Sequence, residues 1–491
     1  REELGGNNGP PLEGTVVSCN SNEAIRLLGG EKREYQAGAF ETTSFRLLVK
    51  YCWVSSLMFY WPTVFHLQMI HVPRASTLPR TATARSIAEV SQEKNGVRPT
   101  FTHQLFDNEK IAGYADGDVM IRLVYASASL DWLVEIKTSD DDSIRKADIL
   151  SRLSKALPHQ GFSTNGPDFS RQLEERRRDF KPPGHRVHEY KRGTKLFGVY
   201  RVTGEDSGAC EYHEKAQCLA PWFIETADPI DLSDDRWEVF YLFEEETARE
   251  ILGEKWRPMA LAGFMTVFGF RNPVKGVSLR ICQALIMPEF QRQGDSLGQA
   301  LLSYVYEQAR KRESVFEVTV EDPAPSFEKV RNLVDARALQ DHKAFPADLL
   351  QSKNFERPPK HVVEAAHKEL KLTVLQVEIG FDVLKARQVS VASCTAGPIP
   401  TPPPPGESSG GGSTERKAQK SKEDEDTRQR QPEDEDARKR FRLMVKRRLL
   451  KRYGEELSSD ASTRKRQLED LYADVEGTLL DLGTKLRVEG R

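Results

Sequence analysis

Residues Ala284-Leu285-Ile286-Met287-Pro288-Glu289-Phe290-Gln291-Arg292-Gln293-Gly294-Asp295-Ser296-Leu297-Gly298 pass from an apolar, strand-like run through a Gln/Gly turn into a helix-like segment beginning near Gln299. In that segment Leu297, Leu301, Leu302 and Val305 fall on one face at helical spacing, while Glu307, Arg310 and Lys311 lie elsewhere. A strand, a glycine turn and a helix in succession leave backbone N–H groups uncovered at the positive end of the helix, where a phosphate binds well. The same arrangement also serves simply to join a strand to a helix, and on the turn alone both readings stand. The run lacks G-x-G-x-x-G and no Gly-Lys-Ser/Thr follows it, which argues against a nicotinamide-binding fold and a P-loop.

Downstream, Val315 to Val320 reads as a strand that ends in Glu321-Asp322-Pro323. Side chains alternate along a strand, so Phe316, Val318 and Val320 point one way and Glu317, Thr319 and Glu321 the other, which directs the Glu321 carboxylate toward a cleft. The plainer alternative is that Glu-Asp-Pro only ends the strand, because proline cannot continue the ladder. Further strand-like runs lie at Val119 to Tyr125, Leu196 to Val202, Trp237 to Phe243, Ala262 to Phe270 and Leu279 to Met287, and helix-like runs at Tyr212 to Thr226 and Pro358 to Arg387. This is the pattern of a mixed α/β (α+β) domain.

Around that domain the composition changes. Lys plus Arg number 72 against 74 Asp plus Glu, so net charge selects neither nucleic acid nor an acidic partner. Six scattered cysteines and no visible signal peptide point to a reducing interior without disulfides. The stretch Tyr51 to Val72 holds no Asp, Glu, Lys or Arg, but Pro62, His66, Gln68 and His71 interrupt it, so a membrane span is the weaker reading and an insertion the plainer one. Pro402 to Pro405, Gly410 to Gly412 and the alternating charge blocks around them cannot bury a core and read as a flexible linker. Beyond it Phe441, Val445, Leu449 and Tyr453 share a helix face amid Arg and Lys, and Leu468, Tyr472, Val475, Leu479, Leu482 and Leu486 follow a four-three spacing suited to a helix hairpin or short coiled coil. The basic helix also suits contact with nucleic acid or a membrane surface.

The expected division is therefore 1–98, an amino-terminal segment with an atypical insertion at 31–98; 99–210 and 211–345, two α/β domains; 346–390, helical; 391–436, linker; and 437–491, carboxy-terminal helices. Two other clusters bear on chemistry. Glu225, Asp228, Asp231, Asp234 and Asp235, flanked by Trp222 and Trp237, read either as the wall of a groove for a cationic peptide or as a solvated turn. Cys210, His213 and Cys218 lack the fourth ligand and paired spacing of structural zinc, and no metal is expected.

Taken in order, Thr102-His103-Gln104-Leu105-Phe106, Asp179-Phe180-Lys181-Pro182, Trp222-Phe223-Ile224-Glu225-Thr226-Ala227, Asp235-Arg236-Trp237, Ala262-Gly263-Phe264-Met265-Thr266-Val267, Phe290-Gln291-Arg292-Gln293-Gly294 and Glu321-Asp322-Pro323 resemble the type B histone acetyltransferase catalytic subunits, of the Gcn5-related N-acetyltransferase superfamily. The resemblance implies that superfamily's mixed sheet flanked by helices, with an amino-terminal α/β extension and a carboxy-terminal helical region. It implies acetyl-CoA as cosubstrate and, as acceptor, lysines in the amino-terminal tail of newly made histone H4. Ala284, Leu285 and Ile286 would follow the pantetheine arm. Gln291, Arg292, Gln293, Gly294, Asp295, Ser296, Leu297 and Gly298 would hold the pyrophosphate, with Gln299 and Leu333 nearby. Glu321 matches the general base, with Glu225 and Asp322 as assisting carboxylates; Asp107, Asn108, Glu109, Trp237, Phe268, Gly269 and Phe270 match the histone-tail groove. The resemblance further implies a β-propeller histone chaperone as partner, nucleus and cytoplasm as locations, and no direct DNA binding. Rival readings are an acetyltransferase for protein amino termini or small amines, and a histone-binding module without activity.

The chemistry agrees with these residue types. A lysine of pKa about 10.4 is neutral in only roughly one molecule in a thousand near neutral pH, so a carboxylate must take its proton before the amine can attack a thioester. Direct transfer needs no enzyme nucleophile. The sequence departs from the family pattern where Asp295, Ser296 and Leu297 separate Gly294 from Gly298, a longer spacing that brings a negative charge toward the phosphate position. It departs again at Phe268 and Phe270, which lack the hydroxyls of the matching aromatics, and in the long gap between Cys19-Asn20-Ser21-Asn22 and Thr102.

Overall fold

The computed structural model describes residues 18–20, 66–72, 97–106, 110–112, 119–139, 142–159, 162–246, 249–251, 254–256, 259–291, 297–352, 355–394 and 435–488. They fall into two compact units, one of residues 1–264 and 285–290, the other of 265–284 and 291–491.

The first unit opens with strands β1 (Ser18–Asn20), β2 (His66–Val72), β3 (Lys110–Ala112), β4 (Val119–Ala126), β5 (Trp132–Thr138) and β6 (Phe162–Ser163). A four-stranded sheet runs β2-β4-β5-β6, and β1 pairs with β3. Strand β2 lies parallel to β4, with Leu67 opposite Ile121 and Ile70 opposite Val124. Part of the uncharged stretch is thus a sheet strand rather than a segment of membrane helix; 51–65 lie outside the described residues. Among the described residues no helix is long and apolar enough to cross a membrane.

Helices α1 (Ser143–Leu153) and α2 (Gly166–Asp179) follow, and Phe169 of α2 packs on Val124 and Leu133. Asp131, at the β4–β5 turn, is buried and held by Arg176 at 2.9 Å and Lys215 at 3.3 Å. Strands β7 (His185–Arg192), β8 (Lys195–Val202) and β9 (Trp237–Glu245) form an antiparallel series, and in the sheet β9 is next to β12 (Met259–Asn272). Between β8 and β9 the single helix expected over Tyr212 to Thr226 is two, α3 (Ala209–Gln217) and α4 (Ala220–Phe223). Pro221 explains the break, since a residue without an N–H fits the first turn of a new helix but not the interior of an old one. Short strands β10 (Arg249–Ile251) and β11 (Glu254–Trp256) pair between β9 and β12 in sequence.

In the second unit β14 (Val315–Val320) pairs in parallel with β13 (Gly276–Ile286), which neighbours β12, so the sheet is mixed. Helix α5 (Leu297–Arg310) buries Leu297, Leu301, Leu302 and Val305, the face read from the sequence. Helices α6 (Pro325–Gln340), α7 (Ala347–Gln351), α8 (Lys360–Leu370) and α9 (Val374–Cys394) follow. Helix α9 buries Val377, Phe381, Val383, Leu384, Ala386 and Val389, too many for one stripe, because neighbours cover it on several sides. Two of those neighbours are α6 and a long helix, α11 (Ala461–Val488), that lies beyond the Pro/Gly tract and is preceded by α10 at 435–453.

The carboxy-terminal helices thus share a core with the helices before the tract. Phe441, Val445 and Leu449 of α10 and Tyr472, Leu479, Leu482 and Leu486 of α11 are buried. Arg448 of α10 meets Asp382 of α9 at 2.6 Å, both buried. A Cβ on Gly483 would lie 2.7 Å from the Arg387 nitrogen, so only glycine lets the α11 backbone approach α9 this closely. The fold class is the one the sequence implied: a mixed sheet flanked by helices, with an amino-terminal α/β extension and a carboxy-terminal helical region.

Candidate active site

Each unit carries candidate residues of its own. In the second unit the β13–β14 ladder runs from Val277 opposite Val315 to Ile281 opposite Val320. One bond continues it, from the Glu321 N–H to the Ile281 carbonyl at 3.0 Å. Glu321 is therefore the last residue fastened to β13. Its side chain is half exposed, and Asp322 then takes φ +29° before Pro323 ends the extension. A positive φ costs a β-carbon residue free energy and holds only where the surroundings enforce it. Thr226, directly after Glu225, has φ +56°. Two candidate carboxylates thus each precede a strained residue.

Where β14 ends, β13 continues. Groups facing one edge of a regular strand recur every second residue. The Ile281 carbonyl faces β14, yet the Gln283 N–H donates to Thr266 Oγ1 of β12 at 3.0 Å, and in the first unit the Met287 N–H donates to the Ala262 carbonyl at 2.9 Å. The alternation therefore changes edge between Ile281 and Gln283, which turns the backbone groups of Ala284 toward the side that β14 has left. Gly263 lets β12 come this close, for a Cβ there would lie 2.4 Å from the Leu285 carbonyl oxygen. Gln291 is exposed in a turn; Arg292, Gln293, Gly294, Asp295 and Ser296 lie outside the described residues. Leu297 and Gly298 are buried at the start of α5, Gln299 accepts from Arg337 at 2.6 Å, and Leu333 is buried in α6.

Around Glu321 stand two residues that sequence reasoning passed over. Arg280 Nη1 is 3.8 Å from Glu321 Oε1, and its guanidinium carbon is 4.4 Å from the centroid of the Phe270 ring. The Cys282 thiol donates to the Arg280 carbonyl at 3.6 Å; burial first, then the proximity of Glu321, push its pKa up to about 12. The parallel register would have indicated both, since Arg280 sits opposite Thr319, two residues before Glu321. Phe268, nearly buried, packs edge-on to the exposed Phe270 at 4.7 Å between centroids, with Gly269 buried between them in β12.

In the first unit Glu225 follows α4 and approaches His103 Nε2 at 4.0 Å, both side chains partly exposed. The turn is held by the 100–106 segment: Thr100 and Phe101 N–H groups donate to the Trp222 carbonyl at 2.8 and 3.1 Å, and Gln104 Nε2 donates to the Ile224 carbonyl at 3.3 Å. Trp222 does not line a groove. It is fully buried, and its indole N–H has no partner among the described residues. Trp237, partly buried, opens β9. Asp231 accepts from the Ser233 hydroxyl and N–H at 2.6 and 3.0 Å, and Asp234 chelates Arg236, so these two carboxylates belong to a solvated turn rather than a free acidic wall. Asp107, Asn108 and Glu109 lie outside the described residues.

The histidine and cysteines set aside as metal ligands have other partners or face solvent. His213 Nδ1 meets the Tyr241 hydroxyl at 2.6 Å, burial holds its pKa near 4, and Cys218 donates to the Glu214 carbonyl while Cys210 is exposed. Glu289, just past β13, accepts from the Tyr125 hydroxyl at 3.2 Å, and burial raises it to about 7.

A family model described as "Histone acetyl transferase HAT1 N-terminus" matches residues 76–225, which contain β3 to β8 and end at Glu225. The chain is similar to histone acetyltransferase type B catalytic subunits: that of Homo sapiens is 33% identical over 281 residues, covering 55% of this chain and 64% of that protein. That of Rattus norvegicus is 33% identical over 267 residues, covering 52% and 62%, and that of Mycosarcoma maydis 29% identical over 313 residues, covering 57% and 68%. The chain thus spans less than two thirds of the length of the rat and human relatives. The solved structure of an aminoglycoside acetyltransferase from a soil metagenome aligns with 27% of this chain and 80% of its own at 14% identity and TM-score 0.19, too distant a likeness to bear on fold or chemistry.

Proposed function

We propose that this protein transfers acetyl from acetyl-CoA to lysine side chains in a histone tail, with Glu321 as general base. The observation that carries the reading is the position of Glu321: last residue on the β13–β14 ladder, half exposed, at the point where β13 runs on past β14. It is supported by relatives whose names state histone acetyltransferase activity.

In this reading the Glu321 carboxylate accepts the proton that a lysine ammonium must lose, which changes a cation that cannot attack into an amine that can. Acetyl-CoA, when bound, would supply the thioester whose carbonyl carbon the amine attacks, the acetyl group passing to nitrogen as coenzyme A leaves as the thiol. The backbone of Ala284, Leu285 and Ile286 binds its pantetheine arm, and the segment Gln291 to Gln299, with Leu333 beyond it, binds the pyrophosphate. The fit rests on the edge change after Ile281, which presents main-chain donors and acceptors where an amide-bearing chain can pair with them. Glu225 and Asp322 are the assisting carboxylates of this reading. Asp107, Asn108, Glu109, Trp237, Phe268, Gly269 and Phe270 receive the peptide.

The finer assignments belong to the same proposal: the acceptor is the amino-terminal tail of newly made histone H4, the partner a β-propeller histone chaperone, and the setting nucleus and cytoplasm. The test is label transfer from radiolabelled acetyl-CoA to an H4-tail peptide, with mass spectrometry of the product. Acetyl on lysine side chains supports the reading; acetyl only on the peptide amino terminus, or cofactor-independent peptide binding without transfer, overturns it.

A further inference from the structure

Arg280 lies between two chemically different neighbours. On one side its guanidinium carbon is 4.4 Å from the centroid of the exposed Phe270 ring, within range of a cation–π contact. On the other its Nη1 is 3.8 Å from Glu321 Oε1, close enough for charge attraction but too long for a hydrogen bond. An arginine free to move would close on a carboxylate this near and grip it with two N–H groups. Here the guanidinium lies over the ring instead. The backbone fixes the other end, because Arg280 is opposite Thr319 in the parallel ladder and the Glu321 N–H is on the Ile281 carbonyl.

We propose that Arg280, stacked on Phe270, is a positioning residue for Glu321: it orients the carboxylate by charge while leaving its oxygens open to a proton from the substrate amine. This rests on the acetyltransferase reading. A fully gripped Glu321 would be a poorer base, and an Arg280 without its ring would compete with the substrate ammonium for the same oxygens. Phe270 therefore does more than line a groove, since its face sets how far the guanidinium stays from the base. Arginine is suited to the task because its planar ion can lie flat on the ring while its N–H groups face the carboxylate, whereas a lysine ammonium has no plane to stack.

The neighbouring thiol gives a readout independent of catalysis. Cys282 is half-buried beside Glu321, whose charge makes the thiol harder to ionise, while the charge of Arg280 acts the other way. Only the thiolate is alkylated by iodoacetamide at an appreciable rate. The experiment measures Cys282 alkylation by peptide-resolved mass spectrometry, and acetyl-transfer kcat and KM, in the full chain and in Arg280→Gln, Arg280→Lys and Glu321→Gln.

Arg280→Gln is expected to slow Cys282 alkylation severalfold and to lower kcat about tenfold with peptide KM within about twofold, the pattern of a group acting on the chemical step. Glu321→Gln should speed alkylation. Arg280→Lys, which keeps the charge and loses the stack, should restore the alkylation rate but not kcat. Alkylation and kcat both unchanged in Arg280→Gln would overturn the proposal, as would full kcat in Arg280→Lys. If the parent chain transfers no acetyl, the functional reading fails by itself, and the alkylation contrast still decides whether Arg280 acts on Glu321.

Discussion

Replacing Gly263 by alanine tests whether the β12–β13 approach shapes the proposed cofactor strand. The added Cβ would stand 2.4 Å from the Leu285 carbonyl oxygen, 2.7 Å from Ile286 Cδ1 and 3.1 Å from Ile286 Cα. A carbon and a carbonyl oxygen normally keep about 3.2 Å apart, so the strands must separate by roughly 0.8 Å, and the obstructing atoms are backbone that cannot rotate away. Overpacking of this kind costs about 1–3 kcal/mol, which for a unit of this size lowers the melting temperature by about 2–4 °C per kcal/mol. The shift falls on Leu285 and Ile286, so acetyl-CoA affinity should fall by about tenfold or more. Differential scanning calorimetry and titration calorimetry read the two effects, with Gly477→Ala as control. That glycine, inside α11, meets no atom within 4 Å, and alanine there should stabilise by about 1 kcal/mol. A Gly263→Ala protein with parental melting temperature and affinity would refute both the steric argument and the placement of acetyl-CoA along this strand.

Other consequences can be measured separately. Buried His213 has its pKa lowered to about 4 from the usual 6.5, so between these values the unfolded chain binds the proton and the folded one does not. Its contribution is intact above about pH 6.5 and is lost as pH falls, by roughly 2 kcal/mol at pH 5; denaturant unfolding at pH 7 and 5 should show that difference shrinking in His213→Gln. Glu289, raised to about 7, has the opposite sign: its contribution is fully present below its ordinary carboxylate pKa and is lost as pH rises toward 7, a trend Glu289→Gln should abolish. Asp382→Ala leaves Arg448 buried without its carboxylate and should cost about 3–5 kcal/mol, read as earlier proteolysis of α10 and α11; a parental digestion pattern would show that the pair does not hold these helices.

Much of the sheet was legible because its strands are short apolar runs. Those at Val119, Leu196, Trp237 and Val315 match observed strands closely, and the first three are buried on both faces for much of their length. Strand β7 was not legible: His185 to Glu189 are exposed on both faces, so the edge strand carries no apolar period and is held by backbone pairing to β8. Trp222 misled for a related reason. Its neighbours in sequence are acidic and suggest a surface, but the 100–106 segment, distant in sequence, bonds to its carbonyl, and the ring is buried.

The carboxylate Glu321 could be read from strand alternation and the following proline. The guanidinium and thiol beside it could not, because their proximity comes from parallel pairing with a strand whose register no local pattern encodes. The buried faces of α10 and α11 were also visible as spacing. Their packing on α9 was not, since Arg448 and Asp382 meet only through the tertiary fold.

The central claim is that Glu321 removes the proton from a lysine amine. Initial rates of acetyl transfer to an H4-tail peptide, compared between the parent chain and Glu321→Gln at saturating acetyl-CoA, test it most directly. The account predicts a loss of well over tenfold in kcat with acetyl-CoA affinity preserved, the scale of a lost general base. Equal rates in the two proteins would contradict it.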